Sequence, residues 1–104
     1  MAYRVKYKMA SHMYPDKDDW GSVAEWKAAH ETADHDFKSD IIAGQAKYKV
    51  GTSSLAVESG EVFMTVTYNS EADYTSATND YQTARAAAGI ERRTHQTVVS
   101  AAEV

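Results

Sequence analysis

The chain has 104 residues, 43% of them hydrophobic and 25% charged, with a net charge of −4 and no cysteine. That length fits one domain, and the composition is that of a globular chain rather than a disordered one. Without cysteine there is no disulfide, no thiolate nucleophile and no cysteine-ligated zinc, and the acidic balance argues against a general phosphate-backbone binder.

Residues 3–9 alternate, with Tyr3, Val5, Tyr7 and Met9 on one side and Arg4, Lys6 and Lys8 on the other. A period of two with aromatic and β-branched residues predicts a strand. The same alternation leaves no continuous apolar run of the kind a secretory signal needs, and no window is apolar enough to span a membrane. A cytoplasmic location is the expectation. The stretch SHMYPDKDDWG holds the only proline and a cluster of turn formers, so it reads as a loop, with Asp18 or Asp19 as helix cap.

Val23, Trp26, His30, Ala33 and Phe37 then recur at spacings of three and four, one face of a helix. Its end is expected between Lys38 and Gly44, with Gly44 as a left-handed cap. Ala46 to Val57 and Val62 to Tyr68, separated by ESGE, predict a β-hairpin. Ser70 caps a second helix whose face is Tyr74, Ala77, Tyr81, Ala84 and Ala88, closed by Gly89. Ile90 to Val104 reads as the last strand.

The order is β-α-β-β-α-β. Two right-handed split βαβ units give a ferredoxin-like α+β fold: a four-stranded antiparallel sheet with two helices on one face, the first and third strands central.

The segment YNSEADYTSATNDY, following a strand and opening the second helix, resembles the corresponding segment of the dimeric α+β barrel superfamily, which includes the antibiotic-biosynthesis monooxygenases. The resemblance implies a homodimer built by pairing two sheets, with a small organic ligand between sheet and helices. It also implies an activity of the cofactor-independent monooxygenase or isomerase kind. The alternative is a non-catalytic module that binds a ligand or a protein. No cofactor is expected. Fold alone is a weak guide to chemistry, so the residues must carry the argument.

The stretch HETADHDF suggests metal chemistry, but His30 and His35 are five apart, a rotation of roughly 140° that separates them on a helix. No metal site is expected from it. His30 differs because it lies on the apolar stripe beside Trp26. Either it is a core imidazole bonded to a backbone carbonyl or to Asp34, or it projects into a pocket as a proton carrier. In the second case Tyr7, Trp26 and Tyr68 line the pocket with His30 as candidate catalytic group, and His12 stands at its mouth. Seven tyrosines support either a hydroxyl-lined cavity or a hydrogen-bonded core.

The other sheet face is expected to carry Arg4, Lys6 and Lys8 with Lys47 and Lys49, separated by Phe63, Thr65 and Thr67. Such a face must meet solvent, nucleic acid, or a partner sheet offering carboxylates such as Glu58, Glu61 or Glu91. RNA binding is disfavoured, because EVFMTVTY lacks the glycine-and-aromatic octapeptide of RNA-recognition modules.

Overall fold

The computed structural model describes residues 1–11, 16–29, 44–87 and 94–104. The elements are β1 (Tyr3–Ser11), α1 (Val23–Ala29), β2 (Ser54–Glu58), β3 (Glu61–Tyr68), α2 (Glu71–Ala87) and β4 (Thr94–Glu103). The four strands form one sheet in the order β2-β3-β1-β4, and all three pairings are antiparallel. This is the ferredoxin-like α+β topology that the alternating stripes predict.

Register explains which residues share a face. Tyr3, Val5, Tyr7 and Met9 stand opposite Tyr68, Val66, Met64 and Val62, and the last two of these face Leu55 and Val57 of β2. All of these side chains point to one side, and Trp26 of α1 with Ala77 of α2 closes over them in a single buried cluster. Val5, Val62 and Val66 are its fully enclosed members. Removing apolar area from water at roughly 25 cal/mol per Å² is the main force holding the helices down.

Local chemistry fixes the connections. Ser59 and Gly60 join β2 to β3 with φ of 52° and 79°. Both central residues of a two-residue hairpin must be positive in a type I′ turn, which glycine adopts without cost. Gly60 has a second reason to lack a side chain: a Cβ there would meet the Asp18 carbonyl oxygen at 1.9 Å. The turn is tucked against the loop after β1, and the Trp20 N–H donates to the Gly60 carbonyl at 2.9 Å.

Several expectations need correction. The cap of α1 is Ser22, not Asp18 or Asp19: the Ser22 hydroxyl accepts the Glu25 N–H at 3.0 Å, and the Glu25 carboxylate reaches back to the Gly21 N–H at 2.9 Å. A serine with glutamate three residues on satisfies two orphan donors at once, which an isolated aspartate does not. Gly44 is helical and is not among the positive-φ residues, so it supplies no left-handed cap. The second strand is shorter than 46–57. Ala46–Tyr48 is a 3₁₀ turn, Lys49 makes one isolated bridge to Tyr68, and Gly51 at φ 69° turns the chain before β2 begins. Lys47 and Lys49 are therefore not part of the polar face of β2.

In α2, Ser70 caps as expected, accepting the Asp73 N–H at 3.1 Å. Tyr74 and Ala77 pack on the sheet, but Ala84 is exposed, so only the first half of the expected stripe is covered. The helix stripe beyond Ala29, the closing Gly89 and the start of the last strand at Ile90 lie outside the described residues.

The opposite face of the sheet carries Arg4, Lys6, Lys8, Phe63, Thr65 and Thr67. Its carboxylates come from the chain's own hairpin. Lys6 lies over the Phe63 ring, 4.6 Å from its centre, and pairs with Glu58 at 2.7 Å, while Lys8 pairs with Glu61 at 3.0 Å. Among the described residues no helix is long and apolar enough to cross a membrane.

Candidate functional site

Tyr7 and Tyr68 are central to the geometry. Tyr7 stands opposite Met64 and Tyr68 opposite Tyr3, so the two are four positions apart along the paired strands. At about 3.3 Å per residue that is roughly 13 Å of strand. Two phenols leaning toward each other span it, passing above the small Val5–Val66 pair that lies between. Their hydroxyls meet in a buried hydrogen bond of 2.9 Å.

Aromatic rings extend this arch toward α2. The Tyr74 ring centre lies 5.2 Å from that of Tyr68 and 5.5 Å from that of Tyr3, at tilts of 58° and 33°. These are the offset and tilted geometries that ring quadrupoles favour. Tyr48, from the 3₁₀ turn, donates its hydroxyl to the Asp80 carboxylate on α2. On the other side Trp26 completes the cluster from α1.

Electrostatics follow from burial. Desolvation raises the Tyr68 phenol above its ordinary pKa, with the bond to Tyr7 acting in the opposite sense. The phenol therefore stays protonated at neutral pH and serves as a hydrogen-bond donor or acceptor rather than as a base. The bond to Asp80 is the main cause that raises Tyr48. Burial lowers the Lys49 ammonium below the usual lysine range.

Of the residues singled out from sequence, Tyr7 and Tyr68 are thus in direct contact, and Trp26 belongs to the same cluster. They are 8%, 5% and 4% exposed. His12 and His30, together with the whole HETADHDF stretch, lie outside the described residues. Tyr3 and Tyr74 join the cluster through ring contacts that helical and strand periodicity alone places only on the core side. Lys49 was expected on the opposite face, and its place beside Tyr68 depends on a single bridge that no periodicity announces.

A depression of about 260 Å³ lies at the other end of the sheet, lined by Lys8, Asp16, Lys17, Trp20, Glu61 and Val62 among others. Its charges largely answer one another. Lys8 pairs with Glu61, and Lys17 pairs with Asp19 at 2.9 Å while covering the Trp20 ring at 4.7 Å. Among the described residues no group of three His, Asp or Glu side chains is arranged to hold a metal.

Fold and site together define an α+β protein with a four-stranded antiparallel sheet, two helices on one face and a tyrosine-rich layer between them. Compared with family models, with curated proteins and with solved structures, the chain matches none.

Proposed function

We propose that this chain is a small-molecule-binding protein of the dimeric α+β barrel type, holding an organic ligand between sheet and helices. The observation that carries the reading is the buried Tyr7–Tyr68 hydroxyl pair inside an aromatic layer. Ligand sites are commonly apolar walls with a few convergent polar groups, and two hydroxyls meeting inside an aromatic layer supply such groups. In the enzymatic form, of the cofactor-independent monooxygenase or isomerase kind, His30 carries protons and the protonated phenols orient the substrate.

Dimerisation draws support from the other face. Lys6–Glu58 and Lys8–Glu61 neutralise one another within the protomer, so on this face a docking sheet would have to answer chiefly Arg4, whose guanidinium reaches, among the described residues, only the Thr67 hydroxyl at 3.3 Å. Sedimentation tests this directly: a species of twice the chain's mass is expected, and a strictly monomeric species at high micromolar concentration removes the barrel. For the ligand, a thermal-shift screen of small aromatic and anionic metabolites should give hits that Tyr68→Phe and His30→Ala weaken. Binding that survives both substitutions refutes the site.

A second reading is favoured by the low exposure of Tyr7, Trp26 and Tyr68. It is a non-catalytic module with a closed core that binds a ligand or protein through Arg4, Lys6 and Lys8. It predicts no thermal-shift hit, and loss of partner binding when those three are replaced.

A further inference from the structure

Lys49 has a position that packing alone does not account for. It bridges Tyr68 in antiparallel fashion. The flanking hydrogen bonds run from the Val50 N–H to the Thr67 carbonyl at 2.8 Å and from the Asn69 N–H to the Tyr48 carbonyl at 2.9 Å. Bonds on either side of a pair, rather than within it, mark the non-hydrogen-bonded type, in which the two side chains approach most closely and leave the sheet on the same side. Tyr68 points into the tyrosine layer, so Lys49 starts out over the same face.

Four other lysines have charged or aromatic company. Lys6, Lys8 and Lys17 each meet a carboxylate, and Lys47 lies 5.0 Å from the centre of the Tyr48 ring. Lys49 is half-buried and has no carboxylate or ring partner among the described residues. Two acids of α2 are already engaged elsewhere. Asp80 accepts from Tyr48, and Asp73 accepts from the Asn69 side chain at 3.0 Å. That asparagine also donates to the Lys47 carbonyl at 2.9 Å, which ties down the turn before Lys49. Partly desolvating an ammonium without a counter-charge is unfavourable, and the depressed pKa of Lys49 records that cost. An anion arriving beside it removes the penalty.

We propose that Lys49 anchors the anionic group of a small aromatic ligand, a carboxylate of the benzoate class, whose ring rests against the Tyr68–Tyr74 cluster. This rests on the ligand-binding reading above and narrows it to a chemical class. A long lysine stem lying over Tyr68 with its head in bulk water is the plain structural alternative, and it makes no distinction between charged and neutral probes.

The experiment compares benzoate with its neutral isostere benzamide by amide chemical-shift titration of the wild-type protein, Lys49→Met and Lys49→Arg. Benzoate should bind the wild type at least tenfold more tightly than benzamide. Lys49→Met should abolish that preference while leaving benzamide affinity unchanged, and Lys49→Arg should keep it. Equal affinities in the wild type, or a preference that survives Lys49→Met, overturn the anchor yet leave the proposed ligand site standing, since benzamide still binds. If neither probe binds, the proposed ligand site fails and the anchor with it. Should Lys49→Met not fold, as judged by circular dichroism, Lys49→Gln takes its place with the same expected loss.

Discussion

Deleting the Tyr7 hydroxyl strands its partner. Tyr68 is 5% exposed, and its hydroxyl has the Tyr7 hydroxyl as its hydrogen-bond partner. Tyr7→Phe should therefore cost the desolvation of one buried hydroxyl, about 1–3 kcal/mol. For a chain near 100 residues each kcal/mol lowers Tm by about 4–8 °C. Tyr68→Phe takes the same bond from the buried Tyr7 hydroxyl and should cost a similar amount. Replacing both removes the need for a partner altogether, so the double variant should fall short of the summed single costs by about 1 kcal/mol. Urea unfolding followed by tryptophan fluorescence suits the measurement, since Trp20 and Trp26 are both buried and will report loss of the core. Two results refute the reasoning: a Tyr7→Phe cost below about 0.5 kcal/mol, or single costs that add to within the usual error of a few tenths.

Other expectations follow from single contacts. Gly60→Ala and Gly51→Ala both place a Cβ at positive φ, but only at Gly60 does that atom collide with backbone. Thermal melts should show a loss of about 1 kcal/mol at Gly51 and clearly more at Gly60. Ser22→Ala should cost about 1 kcal/mol by uncapping α1, whereas Asp18→Ala should leave the melting temperature nearly unchanged. Because burial raises the Tyr68 pKa in the folded state, its contribution is fully present below the unfolded tyrosine value of about 10 and is lost as pH rises through the folded value. The alkaline fall in stability should accordingly be shallower in Tyr68→Phe, by pH-dependent urea midpoints. Lys49 titrates with the opposite sense: its lowered pKa makes the charged form a burden, so Lys49→Met should gain stability relative to wild type at neutral pH and lose that gain above the unfolded lysine value.

Much of the architecture was legible because alternation is an unambiguous signal where one side of a strand is buried. Tyr3 to Met9 and Val62 to Tyr68 each carried it, and register then put both stripes on one face. Ser70 could be read as a cap because nothing competed with it. At α1 the acidic run drew attention from Ser22, although serine with glutamate three residues on is the stronger signature. The stretch from Ala46 to Ser53 misled for a physical reason. Its alternating lysines and tyrosine satisfy a strand pattern, but Gly51 with its positive φ ends the extended path, and one turn of 3₁₀ helix takes its place. The Tyr7–Tyr68 contact was anticipated as a shared lining, yet the hydrogen bond itself depends on lateral lean between positions four apart, which no one-dimensional pattern encodes. The lysines of the polar face looked unpaired because Glu58 and Glu61 sit beside a turn and join them only through the register of β1, β3 and β2.

The central strand's two neighbours arrive late. β1 pairs with β4 through contacts such as Lys6 with Ser100, and with β3 through Lys6 with Thr65, so every ladder it forms closes a long loop of chain. During synthesis Tyr3, Val5, Tyr7 and Met9 leave the ribosome well before either flanking strand exists. The β2–β3 hairpin can form locally, but the first strand must wait as a half-apolar ribbon until β3 emerges to pair with one of its edges, and longer until β4 covers the other. Its three basic side chains, spaced every second residue on the reverse face, keep nascent copies apart by mutual repulsion over that interval.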